Sequence, residues 1–425
     1  MQRRDLLTAA GATLAAAAAL IGVWAVLHHG FYGRDTITDF PVYERYGWAM
    51  ADGQVPFRDF RLEYPPGALP VFVLPALGTA ADDGYTDRFG LLMQIAGVLA
   101  LGGVAAAALA LRATRRRLAL ALLAPAVLPL ALGSVIVSRF DLWPAAITAV
   151  ALAALLLGRW RIGGAVLGLA FITKIYPLVL LPVAVAAAWR ARGRREGIAV
   201  AVAFLAVALA VLVPFLVLSP AGIWEMVVRQ STRPLQVESL GAGILLAAHQ
   251  AFDVGITFRS GHGSQNLTGV LPDALGALQT LAQVAVLLAL WVGFARGPID
   301  RERLVRGSAA AVVAFVALGK VLSPQYLVWL LPLVPLVGGR RGIRAVVLLA
   351  IACVLTQLWF PFRYWQLVAP LITPGTEPDA LASWLVLARD LVLLTLLWTL
   401  AGPELRDTAA RAARWRSRAL TARSR

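Results

Sequence analysis

Residues 35–67 read DTITDFPVYERYGWAMADGQVPFRDFRLEYPPG, a polar and aromatic stretch between apolar neighbours. It carries six carboxylates, together with tyrosines, a tryptophan and arginines. Asp39-Phe40-Pro41 predicts a helix start, because Asp caps a first turn and Pro is tolerated in it. Asp52-Gly53 predicts the end of that helix. Asp39, Tyr43 and Tyr46, at i, i+4 and i+7, then share one face. A carboxylate at a helix N-terminus is held ionised by the exposed N–H groups and the macrodipole. An ionised carboxylate fixed at a membrane surface suits a general base. It suits a plain helix cap as well.

The membrane follows from composition. Of 425 residues, 60% are hydrophobic, and the mean hydropathy is +0.75. Soluble domains do not have this composition. Apolar runs of about 18 residues or more recur, which is the mark of transmembrane helices. Backbone groups in lipid must pair internally, so the expected fold class is an all-α, polytopic transmembrane bundle. The single cysteine, Cys353, excludes a disulfide framework, and His28, His29, His249 and His262 show no metal-ligand spacing. The net charge is +16. Most arginines, however, fall in the tails and in segments 112–117, 159–161, 190–195, 296–306 and 340–344, at alternate crossings. This is the positive-inside pattern, and it argues for a lipid bilayer and against nucleic acid as the partner.

Taken in order, 7–27 is a signal-anchor after a basic start that resembles a twin-arginine signal, which places 28–66 outside. Residues 67–78 are too short to span and read as a re-entrant or surface helix. Crossings follow at 88–111, 118–137 and 142–158. Two short apolar pieces, 162–173 and 175–189, suggest a broken hairpin around Lys174. Further crossings are 197–218, 268–294, 307–319, 326–337, 344–360 and 381–401, with outer loops at 219–267 and 361–380. The expectation is about twelve crossings in one domain, 1–404, with a basic cytoplasmic tail, 405–425.

Lys174 and Lys320 are the only lysines, and both fall at the outer ends of short apolar segments. A charge in a membrane needs a partner or a function. A lysine is a compact donor to a phosphate oxygen, or else it snorkels to the interface. Arg139 and Asp141 can pair with each other. Glu225, Arg229 and Arg233 share a helical face that either holds a headgroup or phosphate or is a solvated ion-pair face. Arg389-Asp390 lies inside the last apolar run, with no role evident from the sequence. No Gly-rich phosphate loop, nucleophile elbow or metal-binding helix occurs. Tyr176-Pro-Leu-Val-Leu-Leu-Pro-Val and Tyr326-Leu-Val-Trp-Leu-Leu-Pro-Leu echo one another after the two lysines.

Together these pieces resemble the glycosyltransferase C superfamily, and within it family 87, the polyprenyl-phosphate-mannose-dependent mannosyltransferases. The matching elements are Asp39-x-x-x-Tyr43 with Gly53, Glu63-Tyr64-Pro65-Pro66-Gly67, Arg139-Phe140-Asp141, Lys174-Ile175-Tyr176-Pro177 and Ser323-Pro324-Gln325-Tyr326. Two departures stand out. Asp35 and Asp39 lie four apart rather than side by side, and no large C-terminal outer domain follows. The resemblance implies a sugar donor on polyprenyl phosphate, a glycolipid or cell-wall glycan acceptor, and a site on the outer face of a bacterial plasma membrane. It implies Asp39 as base with Asp35 beside it. Lys174, Lys320, Arg139 and Arg229 would take the donor phosphate, and Tyr43, Tyr46, Glu63, Tyr64, Asp141, Tyr176, Gln325 and Tyr326 the substrates. Lysine and arginine can stabilise the leaving phosphate without a cofactor or metal, although Asp35 with Asp39 could hold a divalent ion. Mannose is the family default, with arabinofuranose, galactose and glucose open. A transporter or flippase of lipid-linked sugars would also use broken helices and mid-depth lysines, and a non-catalytic membrane subunit is a third reading.

Overall fold

The computed structural model describes residues 3–33, 37–77 and 84–423; Asp35 lies outside the described residues. The chain is mostly helical, as expected. Among the described residues six helices are long and apolar enough to cross a membrane: Asp5–Leu27, Tyr85–Ala110, Arg194–Leu218, Val270–Arg296, Gly339–Trp359 and Ala380–Gly402. These alone do not reach the expected count of crossings. Leu142–Leu156 and Trp160–Thr173 are 15 and 14 residues long. At about 1.5 Å per residue they fall short of a ~30 Å hydrocarbon core.

The expected crossing at 118–137 is broken into Arg115–Val127, Pro129–Leu132 and Val135–Ser138. Pro129 begins a new helical piece, and Gly133, at φ +73°, turns the chain after it. The turn carries Ser134, Ser138, Arg139 and Asp141 into the interior. A similar departure occurs at 326–337. After the Arg301–Ala317 helix come 3₁₀ segments at Pro324–Leu330 and Val334–Leu336, and Leu327–Val337 is buried throughout. Pro324, Pro332 and Pro335 disfavour a regular helix there. Irregular backbone is tolerated at membrane depth where protein covers it. By contrast, Arg194–Leu218 exposes Ile198, Val202, Leu205, Leu209, Val213 and Leu216, a helical stripe suited to lipid tails. Cys353 is completely buried on Gly339–Trp359.

Strands enter the segment between Leu235 and Thr268, where an all-helical chain was expected. β1 (Leu235–Gln236), β2 (Thr257–Gly261) and β3 (Ser264–Thr268) form an antiparallel sheet in the order β1-β3-β2. Leu235 faces Leu267, and Gly261 faces Ser264. The β2–β3 turn is His262-Gly263, both at positive φ, as a tight two-residue hairpin demands. The last helix runs Ala380–Arg423, so helix continues through most of the expected basic tail.

Candidate active site

The helix expected after Asp39 forms as Phe40–Ala51, with Asp52 at its C-cap and Gly53 at φ +84°. Tyr43 and Tyr46 are buried on it. Asp39 occupies the N-cap position, but its carboxylate makes no capping bond. Only its carbonyl serves the helix, accepting from the Val42 and Tyr43 N–H groups. The carboxylate instead lies with Oδ1 3.1 Å from Arg139 Nη1, and Oδ2 accepts from the Tyr43 hydroxyl at 3.2 Å. The Asp39 side chain is 30% exposed and that of Arg139 only 7%. The capping reading of this side chain is therefore overturned.

Arg139 and Asp141 do not pair with each other. The backbone is extended at Arg139 and turns helical at Asp141, so the two side chains meet different partners. Asp141, 1% exposed, has Oδ1 2.6 Å from Lys174 Nζ, and the same oxygen accepts the Trp329 indole N–H at 2.7 Å. Two ion pairs thus face one interior region. Asp141 Oδ2 and Arg139 Nε, both buried, meet no hydrogen-bond partner among the described residues. Buried polar atoms left unsatisfied call for an explanation, and a ligand is one.

Aromatic rings wall this region. Tyr43 stacks on Phe72 and Phe89 at 4.8 and 5.5 Å, and Tyr64 meets Phe140 edge-on at 5.0 Å. Lys174 Nζ lies 4.3 Å from the centre of the Phe140 ring, where the quadrupole favours a cation. Burial pushes the Tyr43 and Tyr64 hydroxyls well above the usual tyrosine range, so both are neutral at pH 7. Tyr64 is positioned by the Glu63–Gly67 segment. A Cβ on Gly67 would sit 2.7 Å from the Ile172 carbonyl carbon, and Thr173 Oγ1 donates to the Gly67 carbonyl at 3.3 Å. The Pro-Pro-Gly turn therefore packs directly on the helix end that carries Lys174.

On the other side, Tyr326, Trp329 and Tyr176 stack in sequence, with centroids 4.0 and 4.2 Å apart. In a 3₁₀ segment side chains at i and i+3 eclipse, which lays Tyr326 on Trp329. Tyr176 is fully buried, bonded to Thr148 Oγ1 at 2.9 Å and donating to the Pro144 carbonyl at 3.2 Å. It supports Trp329 rather than presenting a surface to a substrate. Gln325 and Tyr326 are half-buried.

Several expected site residues are not part of this cluster. Lys320 makes no ion pair among the described residues; its carbonyl accepts the Gln236 N–H, and its side chain runs past Gly276. Arg229 is 3.0 Å from Glu63, and Glu225 is 3.0 Å from Arg61. The alternative of a Glu225–Arg229 pair is thus replaced by two links from the Pro220–Ser231 helix to the Arg61–Glu63 segment, and Arg233 lies beyond that helix. Tyr46 and Glu63 line a separate cavity of about 660 Å³ that also includes Arg229.

Sequence reasoning passed over Trp329, whose indole fixes Asp141, and Glu238. The Glu238 carboxylate is buried with the Gln236 amide hydrogen-bonded to it, and Arg389, Arg139 and Arg233 are near enough to act on it. Burial pushes it up to about 7, against the pull of Arg389. Arg389 is 2.7 Å from Asp390 and donates to the Glu238 carbonyl at 2.5 Å. Arg233 is near enough to act on the Tyr326 hydroxyl. Trp329 was marked by its i+3 spacing from Tyr326, whereas Glu238 carried no local signal. Among the described residues no group of three His, Cys, Asp or Glu side chains is placed to hold a metal.

Residues 62–324 match glycosyltransferase family 87. The matched span covers more than half of the chain and takes in Glu63–Gly67, Arg139–Asp141 and Lys174. It begins after Asp39. No curated protein matches the chain.

Proposed function

The chain belongs to glycosyltransferase family 87, and from that premise we propose that it moves a sugar from polyprenyl phosphate to a glycolipid or glycan acceptor, with Asp39 as general base. It is a membrane glycosyltransferase with six apolar helices of spanning length among the described residues. One observation carries the mechanistic reading. Asp39 is a partly exposed carboxylate freed from its own helix, beside a region where buried cations meet aromatic walls.

In this reading Asp39 takes the proton from an acceptor hydroxyl. The oxygen attacks the anomeric carbon opposite the phosphate, the C–O bond to phosphate breaks, and configuration inverts. Arg139 orients Asp39, and the Tyr43 hydroxyl holds its second oxygen. The departing phosphomonoester gains charge where water is scarce, and fixed cations are most effective there. Lys174 has three donors, so it can keep Asp141 while meeting a phosphate oxygen. Arg139 is the second cation. Arg233, near Tyr326, is better placed than Arg229 to be a third, and Lys320 meets Gln236 through its carbonyl, not its charge. The arginine distribution supports a reaction on the extracytoplasmic face of the plasma membrane, and the family resemblance favours mannose as the sugar.

The test is an assay of purified protein with polyprenyl phosphates carrying mannose, arabinofuranose, galactose or glucose, with lipid and glycan acceptors. Acceptor-dependent release of polyprenyl phosphate is expected with at least one donor. No release from any donor would refute the reading.

A further inference from the structure

The cavity of about 660 Å³ lies beside the Asp39 site and not on it. It opens between the second half of the Phe40–Ala51 helix, the loop that follows, and the Pro220–Ser231 helix. Its volume is that of a small-ligand site. Asp52, Glu63 and Glu225 line it against Arg45, Arg61 and Arg229. Three carboxylates balance three guanidiniums, so the lining has no net charge to attract a phosphate. It does offer many acceptors and donors for hydroxyl groups. Tyr46, Trp48, Phe57 and Phe60 add aromatic surface, suited to the apolar faces of sugar rings.

The cavity is held in shape. Phe57 adopts φ +67°, a strained setting for a bulky residue. Its carbonyl accepts from Ser219 Oγ at 2.9 Å, and a Cβ on Gly222 would fall 2.0 Å from that carbonyl oxygen. Only glycine lets the loop lie this close to the helix. Asp59 Oδ2 accepts the Val55 N–H at 2.7 Å, and Arg58 holds the Asp59 carboxyl down at about 2. The Arg61–Glu225 and Arg229–Glu63 pairs tie the same two elements together at the rim.

Tyr46 lies seven residues beyond Asp39 on one helix, about 10 Å along its axis. Glu63 lines the cavity, while its neighbour Tyr64 walls the Asp39 region. We propose that this cavity binds neutral sugar residues of a glycan acceptor, those next to the residue whose hydroxyl reaches Asp39. This rests on the glycosyltransferase reading, and it assigns the acceptor class: a glycan of several neutral sugars.

The experiment is calorimetric titration of the detergent-solubilised full chain with neutral trisaccharides of mannose, glucose and galactose, and separately with inorganic phosphate. At least one trisaccharide is expected to bind the wild type and Asp39→Asn alike. Trp48→Ala should weaken it by about tenfold or more, as removal of an aromatic anchor from a binding contact does. Gln54→Ala, an exposed change that leaves packing intact, should weaken it less. Phosphate should not displace the sugar. Failure of every trisaccharide to bind, unchanged binding in Gln54→Ala and Trp48→Ala, or displacement by phosphate would overturn the proposal. The catalytic reading fails separately: an Asp39→Asn protein that still releases polyprenyl phosphate at the wild-type rate refutes the base and leaves sugar binding intact.

Discussion

The two regions joined by the Phe40–Ala51 helix use charge in opposite ways. At its N-terminal end Arg139, Asp141 and Lys174 are largely sequestered, and each ion pair is built from segments far apart in sequence. At its C-terminal end Arg61 and Glu225 are 80% and 47% exposed, and their pair fastens a loop to a surface helix. Burial makes a charge expensive and its partner obligatory; exposure makes a pair cheap and replaceable. The first arrangement can hold an ionised group at a set potential for chemistry, and the second can only shape a surface. In the proposed function, a helix of twelve residues thus separates the place of reaction from the place of recognition.

Substitutions can break this contrast. Asp39→Asn keeps the shape and loses the proton acceptor, so turnover should fall by about 10²–10⁴-fold with the fold retained, read as polyprenyl phosphate release. Normal turnover would return Asp39 to a structural role. Lys174→Met leaves Asp141 buried and uncompensated, which should cost about 3–5 kcal/mol of stability, seen as a lower unfolding midpoint in detergent. A loss of donor use with no loss of stability would show Asp141 to be reached by water. Glu238 supplies a pH dependence. Its folded value of about 7 lies above the ordinary 4.5. Its contribution to stability is therefore full below 4.5 and is lost as pH rises through 7. Melting temperature should fall between pH 5 and 8 in the wild type, and less in Glu238→Gln. Smallest of all, Arg61→Gln should shift stability by about 0–1 kcal/mol; a shift as large as that of Lys174→Met would erase the distinction between the two regions.

The part of the first region that was legible in sequence is the part that is local. Asp39, Pro41 and Gly53 mark a helix by backbone rules alone, and the 3.6-residue period puts Tyr43 and Tyr46 on one face. Lys174 stood out as one of two lysines. What could not be read were choices among distant partners. Nothing local says that Arg139 takes Asp39 while Asp141 takes Lys174, since the selection depends on where the chain turns at Gly133. Lys320 had the same sequence credentials as Lys174 but faces Gly276 rather than a carboxylate. The β2–β3 hairpin was missed because His262-Gly263 is a less familiar turn than Asn-Gly. The broken 118–137 and 326–337 segments were counted as spans on hydropathy, which does not register whether a neighbour is lipid or protein.

The complete burial of Cys353 has a practical consequence. A thiol shut in an apolar interior is inert toward aqueous reagents, so the natural chain already behaves as cysteine-free. A membrane-impermeant maleimide should leave the wild type unmarked, and any label on a single-cysteine variant then reports one address. Ala51→Cys, at the exposed end of the Phe40–Ala51 helix, should react in intact cells, and Ala191→Cys, at the exposed arginine-rich end of the Leu181–Arg192 helix, only after the membrane is opened. The side of the bilayer on which Asp39 stands can thus be read from two substitutions in an otherwise unaltered protein.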